Sequence, residues 1–356
     1  MTRHNHRQKR SRLLVARRAW WAALAFLAAV AAACGTSDQP QNSLRPEGPE
    51  AQQLDNLFKP VFWIAVAVFF LVNGLIATIF FRFRDRGDDD GRAPVQVHGN
   101  ARLEIGWTVL PAVLLAVIGF FTVGTIFDIN RQPEGDDVLQ VTVVGHQWWW
   151  EYQYPDSGVV TANELHIPVD TPVNVRLISD DVIHSFWPPK LAGKVDVIPG
   201  RVNYMTIEAT EAKRYAGQCA EYCGLSHANM RLVIVAHEKA DFEQWVSDQL
   251  QPAQVPSSGD AAAGAELFIQ RGCGGCHTVD GLEAAEGQIG PDLTHLQGRQ
   301  RFAGAIFDLN ERNLRRWLRD PPAMKPMDPD NVAGMPNLGL SEEDITKLIA
   351  YLETLD

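Results

Sequence analysis

Two short segments concentrate the residues that bind metals. The first, Cys219-Ala-Glu-Tyr-Cys223-Gly-Leu-Ser-His227-Ala-Asn-Met230, packs two thiols, an imidazole and a thioether into twelve residues. Zinc rarely takes a thioether, whereas copper accepts Cys, His and Met together, so the donor set favours copper. One cysteine would suit a mononuclear site. Two cysteines four apart can bridge two coppers with both sulfurs, which spreads one electron over both metals and keeps reorganisation on transfer small. A second imidazole must come from elsewhere, and His184, in Asp181-Val-Ile-His184-Ser-Phe-Trp-Pro188, is the best candidate.

The second segment is Cys273-Gly-Gly-Cys276-His277. In a C-x-x-C-H run the thiols add to the haem vinyl groups and the adjacent imidazole binds iron, although C-x-x-C alone also fits a redox dithiol. Three neighbours argue against the dithiol: a helical pattern around the motif, Gly290-Pro291-Asp292-Leu293 after it, and Gly334-Met335-Pro336 before a terminal helix. Met324 and Met327 compete with Met335 as a sulfur ligand on the same loop. His295, just past a turn, reads as solvent-facing. Five cysteines is an odd number, and two close pairs plus a lone Cys34 do not make a disulfide framework.

The elements that must position these groups divide the 356 residues into several units. Residues 1–33 read as a signal peptide, with a basic start, an apolar stretch and Ala31-Ala32-Ala33 before Cys34. Small residues before a cysteine resemble a bacterial lipoprotein processing site, which would make Cys34 a lipid anchor; Ala31 stands where Leu is preferred, so simple cleavage or retention stays open. An extracytoplasmic segment, 34–57, follows. Val61 to Phe83 and Trp107 to Ile129 each hold an uncharged run of more than twenty residues, enough to cross a bilayer, and read as a transmembrane helical hairpin within 58–130. Arg82, Arg84, Arg86, Arg92 and Arg102 between them place that loop in the cytoplasm.

From 131 to 250 the pattern alternates, with Leu139, Val141, Val143 and Val173, Val175, Leu177 in period two. That predicts an antiparallel sandwich followed by a short helix from Asp241 to Leu250. A Pro/Ala/Ser/Gly-rich linker, 251–262, leads to a helical unit, 263–356, without a strand run. The formal charge is −11, and −18 without residues 1–33, which excludes a nucleic-acid binder and suits docking of basic protein partners.

The copper block, with Gly145-His146-Gln147-Trp148-Trp149-Trp150-Glu151-Tyr152 and Val195-Asp196-Val197-Ile198-Pro199-Gly200-Arg201, resembles subunit II of haem-copper cytochrome c oxidases over residues 55–240. The resemblance implies an all-β cupredoxin sandwich holding the binuclear CuA centre. Its ligands would be His184, Cys219, the Glu221 carbonyl, Cys223, His227 and Met230. It further implies a magnesium or manganese ion shared between the Glu221 side chain and subunit I. Trp148 matches the family's surface tryptophan where electrons arrive, against the alternative of an aromatic packed in the core. His146 reads as structural. Glu104 matches the mouth of a proton path, while its place in a helix's first turn is equally explained by the helix dipole. The last ninety residues resemble class I cytochromes c, an all-α domain in which the Pro291 carbonyl would orient His277 and Met335 would be the second axial ligand.

Together the resemblances imply a caa3-type subunit II in the bacterial cell membrane. Its partners would be oxidase subunits I and III, and cytochrome c or a bc complex as donor. A flexible linker would let the haem unit deliver electrons repeatedly. A copper module of a nitric-oxide or nitrous-oxide reductase is disfavoured by the hairpin and Glu104. A copper chaperone is disfavoured by the full ligand set and the haem motif, and a quinol oxidase subunit by the cysteine loop.

Overall fold

The computed structural model describes residues 21, 24–25, 39–84, 96, 99–135, 137–327 and 333–356. Cys34, Arg86, Arg92 and nearly all of the segment read as a signal peptide lie outside the described residues. Residues 43–356 form one compact unit, which contains all the elements below.

Helix α1 (Pro49–Arg82) opens with proline at its first position, where the missing N–H costs nothing. Helix α2 (Ala101–Ile129) is capped by Asn100, whose side-chain oxygen accepts from the N–H groups of Arg102 at 3.1 Å and Leu103 at 3.3 Å. Both are long and apolar enough to cross a membrane. They expose large side chains such as Phe70, Leu110 and Phe120 along their length, which is what lipid-facing helices require. α1 begins inside the segment expected to precede the hairpin, because its first turns rest on the sandwich: Ala51 N–H donates to Leu191 O at 3.1 Å, and Ala51 and Asp55 are buried.

Two five-stranded sheets follow. In one, β1 (Leu139–His146), β2 (Trp149–Tyr154), β3 (Val159–Ala162), β5 (Val173–Ser179) and β8 (Asn203–Ile207) lie in the order β3-β2-β1-β5-β8. In the other, β4 (Glu164–Pro168), β6 (His184–Trp187), β7 (Val195–Val197), β9 (Arg214–Cys219) and β10 (Arg231–His237) lie in the order β4-β10-β9-β6-β7. The sandwich is not wholly antiparallel. β1 pairs with β5, and β10 with β4, in parallel. Alternation along a strand reports only which side chains face inward, so it carries no information on strand direction. Between the sheets lie Trp150, Tyr152, Leu165, Ile167, Leu177, Phe186 and Ile207, all fully buried. Such side chains contribute roughly 1.5–3 kcal/mol each, and they hold the strand ends where the copper candidates sit.

Helix α3 (Lys239–Gln249) packs on the sandwich through Phe242, Trp245 and Val246. Helix α4 (Gly259–Gln270) starts inside the stretch read as linker, whose last four residues are its first turn. It packs against α7 (Glu342–Leu352), with Phe268 edge-on to Tyr351 at 5.7 Å, and Ser341 and Asp344 form a capping box at the start of α7. α5 (Glu311–Arg319) and the short α6 (Pro321–Met324) complete the unit, together with an unexpected small hairpin of β11 (Arg301–Phe302) and β12 (Phe307–Asp308). The C-terminal unit does not hang on its linker. It lies against the sandwich, with Arg231 N–H donating to Gly304 O at 3.0 Å and Ala305 packed between Val233 and Val235.

Candidate copper and haem sites

The copper candidates converge because of strand register. β6 and β9 pair antiparallel with Phe186 opposite Cys219, which sets His184 at the same end of the sheet as Cys219. β9 and β10 pair with Gln218 opposite Arg231, so residues 219–230 form the loop closing that end. Cys219 N–H donates to Met230 O at 2.9 Å and Ala220 N–H to Ser185 O at 2.9 Å, which staples the loop to both neighbours.

Within it the donor atoms cluster. Cys219 Sγ lies 3.8 Å from Cys223 Sγ, 4.0 Å from His184 Nδ1 and 3.3 Å from Glu221 O. Cys223 Sγ lies 3.6 Å from His227 Nδ1 and 3.9 Å from Met230 Sδ. The sulfurs are too far apart for a disulfide and close enough to share metal ions. All six expected donors, the Glu221 carbonyl included, are therefore together, and soft sulfur with imidazole suits copper. The hydrogen bond from the Cys223 thiol holds Cys219 as a thiolate, down to about 3, and that thiolate in turn pushes Cys223 up. Burial works against a charged His184, but its hydrogen bonds to Asp181 and Cys219 raise its pKa.

Several supporting residues escaped the sequence reading. Asp181 Oδ1 lies 2.7 Å from His184 Nε2, which fixes the ring with Nδ1 turned to the sulfurs, and its other oxygen accepts from Gln147 N–H at 2.5 Å. A carboxylate three residues before a candidate histidine was the available signal. Gly145 on β1 backs the same ring: a Cβ there would meet His184 Cδ2 at 2.8 Å. Cys223 O accepts twice, from Gln147 Nε2 at 2.7 Å and from Trp148 Nε1 at 2.9 Å.

Trp148 is not at the surface. It is 3% exposed and packs with the sandwich core, while Lys325 Nζ of the C-terminal unit donates to its carbonyl at 2.5 Å. Trp149 stacks on His146 at 4.3 Å, and the His146 nitrogens lie 3.6 Å and 3.7 Å from Glu151 and Asp180, away from the sulfur cluster. Glu221 accepts from Tyr222 N–H at 3.1 Å and lines a polar cleft with Asp196 and Asn203. Those oxygens are of the kind a hard cation takes. Glu104 accepts from Asn100 N–H at 3.1 Å, so its carboxylate helps cap α2.

The haem candidates line an apolar cavity of about 190 Å³ that contains Cys273, Cys276, His277, Pro291 and Met335. Pro291 O accepts from His277 Nδ1 at 2.8 Å, which leaves Nε2 free as a ligand. Burial lowers the His277 pKa, which favours the neutral ring that iron requires. Gly290 lies over that ring, where a Cβ would be 2.5 Å from Cε1. Of the three methionines, Met335 and Met327 reach the cavity. Met335 packs with the core of the C-terminal unit and accepts from Trp317 Nε1 at 3.0 Å, whereas Met327 packs against the sandwich core. An apolar chamber holding two free thiols, a neutral imidazole and a thioether fits a covalent haem. The cavity also includes Gln147, Trp148 and Trp149, so its wall is shared by both units. His295 is buried, not solvent-facing: its Nδ1 bonds Asp356 O at 2.5 Å, because the turn after Pro291 tucks under the last residues.

Known proteins resemble this chain along most of its length. The profile of the cytochrome c oxidase subunit II transmembrane domain matches residues 43–124, that of the subunit's periplasmic domain 157–237, and that of cytochrome c 261–356. The cytochrome c oxidase subunit 2 of Alkalihalophilus pseudofirmus is 36% identical over 346 residues, covering 93% of this chain and 95% of that one. That of Bacillus sp. strain PS3 is 36% identical over 77% of this chain and 80% of its own, and that of Bacillus subtilis 30% over 88% and 91%.

Proposed function

The chain belongs to the cytochrome c oxidase subunit II family and carries a cytochrome c domain, and from that footing we propose how it moves electrons. It is a membrane protein that works with subunit I of a haem-copper oxidase. In the proposal, His184, Cys219, the Glu221 carbonyl, Cys223, His227 and Met230 hold a binuclear copper centre. Cys273 and Cys276 attach haem c, His277 and Met335 ligate its iron, and Pro291 orients His277. Bound there, copper and haem iron supply one-electron exchange at positions the fold holds still. The supporting observation is Trp148, which lines the haem cavity and donates its indole N–H to the carbonyl of Cys223.

Electrons from cytochrome c or a bc complex arrive at the C-terminal unit and leave through the copper end for subunit I, where oxygen is reduced. Subunit III, a magnesium or manganese ion at Glu221, proton translocation with Glu104 at the path's mouth, and a lipid on Cys34 in the bacterial membrane complete the reading, and rest on the resemblance. For Glu104 the capping bond supplies a local role as well.

Purifying the full chain from a host that matures c-type haem, loading copper, and recording optical and EPR spectra tests this. A c-type haem band with the multi-line signal of one electron shared by two coppers is expected. A mononuclear copper signal would overturn the binuclear assignment.

A further inference from the structure

The seam between the sandwich and the C-terminal unit contains a buried charge that the copper and haem ligands do not use. Glu164, the first residue of β4, is fully buried. Its Oε1 accepts from Arg214 Nη2 at 2.6 Å on the sandwich side, and from the backbone N–H groups of Gln300 at 3.0 Å and Arg301 at 3.2 Å on the other. Its Oε2 has no hydrogen-bond partner among the described residues. Burying a carboxylate is costly unless hydrogen bonds surround it, so these N–H groups are a strong reason for the two units to stay together.

A second buried polar group works from the opposite side. Lys325 is 4% exposed, burial lowers its pKa to about 7, and its side-chain nitrogen donates to Trp148 O and, at 2.9 Å, to Ala303 O. Ser226 Oγ donates to Pro326 O at 2.5 Å beside it. Gln300, Arg301, Ala303 and Gly304 thus form one edge gripped by Glu164 at its start and by Lys325 and Arg231 N–H at its end. The edge borders the haem cavity, which includes Arg301, Ala303 and Gly304.

We propose that Glu164 and Lys325 are positioning residues that dock the haem unit on the copper domain in one orientation, so that the haem cavity closes over Trp148. The pairing is reciprocal: the sandwich supplies a buried acceptor to the haem unit's backbone, and the haem unit supplies a buried donor to the sandwich's backbone. Neither residue is among the proposed copper or haem ligands, although Lys325 lines the haem cavity. The docking rests on the functional reading only for its purpose, since the contacts stand without it. Its consequence is an orientation-controlled transfer in place of a search by a tethered domain.

The test uses the full chain with both cofactors, comparing wild type with Glu164→Ala, Glu164→Gln and Lys325→Met. Amide hydrogen exchange in peptides containing Arg231 and residues 300–305 reports docking directly. Haem-to-copper electron transfer after flash reduction reports its purpose. Glu164→Ala is expected to raise exchange at both places and to slow transfer by roughly tenfold or more, with the copper and haem spectra unchanged. Glu164→Gln keeps an acceptor and should recover part of both, and Lys325→Met should repeat the effect from the other side. Unchanged exchange at Arg231 in both Glu164→Ala and Lys325→Met would overturn the proposal, as would unchanged transfer rates. Absence of either wild-type spectrum would count against the cofactor assignment instead, leaving exchange to decide the docking.

Discussion

The copper and haem sites solve the same problem by different means. At the copper site the donors come from strand ends whose register is set by a buried sandwich core, and one twelve-residue loop supplies most of them. At the haem site Cys273, Cys276 and His277 come from one short segment but Met335 from a distant loop, and part of the cavity wall belongs to the other unit. A cluster of mutually touching ligands should fail as a whole when one is lost. A pocket whose cofactor is held covalently should fail by degrees.

The largest expected effect is that of Cys219→Ser. Cys219 touches His184, the Glu221 carbonyl and Cys223, so its loss should abolish the two-copper EPR signal while the haem band persists. Met335→Leu should instead leave haem attached through Cys273 and Cys276 and lower its reduction potential, because a thioether ligand raises it. Met327→Leu should leave that potential nearly unchanged in the same titration. If Met327→Leu lowered it and Met335→Leu did not, the ligand assignment would be reversed.

Next come residues that orient the ligands. Asp181→Asn should weaken copper binding by about 10–100-fold, measured by competition with a chelator, since the ring of His184 loses its charged anchor. Gly145→Ala should cost about 1–3 kcal/mol of stability through the clash with His184, visible as a lower melting temperature of the copper domain. The corresponding Gly290→Ala would press on His277 and should be read in the haem spectrum.

The smallest effect concerns pH. Burial lowers the pKa of His166 well below 6.5 and lowers that of His237, with the two rings 2.8 Å apart, His166 Nδ1 to His237 Nε2. The folded protein therefore binds fewer protons at these two rings than the unfolded chain once pH falls below about 6.5. Stability is therefore full above that value. It should decline by up to about 1.4 kcal/mol per pH unit per histidine as pH drops below it. Denaturant melts at pH 7.5 and 5.5 check this, and His166→Gln should flatten the slope.

The difference between the sites also explains what could be read from the sequence. Cys219, Cys223, His227 and Met230 lie within one loop, and Cys273, Cys276 and His277 within five residues, so composition and spacing were enough. Asp181 had a weak local signal. Glu164 and Lys325 had none, because Glu164 meets residues 136 and 137 positions away and Lys325 a carbonyl 177 positions away. The same long-range packing buries Trp148, tucks His295 under the last residues and replaces a free tether with a seam. The parallel pairings of β1 with β5 and β4 with β10 escaped for a related reason, since strand direction follows from connections across the whole sandwich.

The central claim is that both sites form one electron path across that seam at Trp148. Flash reduction of the haem in the full, copper-loaded chain, with the copper absorbance followed over a range of protein concentrations, tests it most directly. The account predicts a single first-order transfer whose rate is independent of concentration and falls in Trp148→Phe, which removes the indole N–H to Cys223 O. A rate proportional to protein concentration, or one indifferent to Trp148, would contradict it.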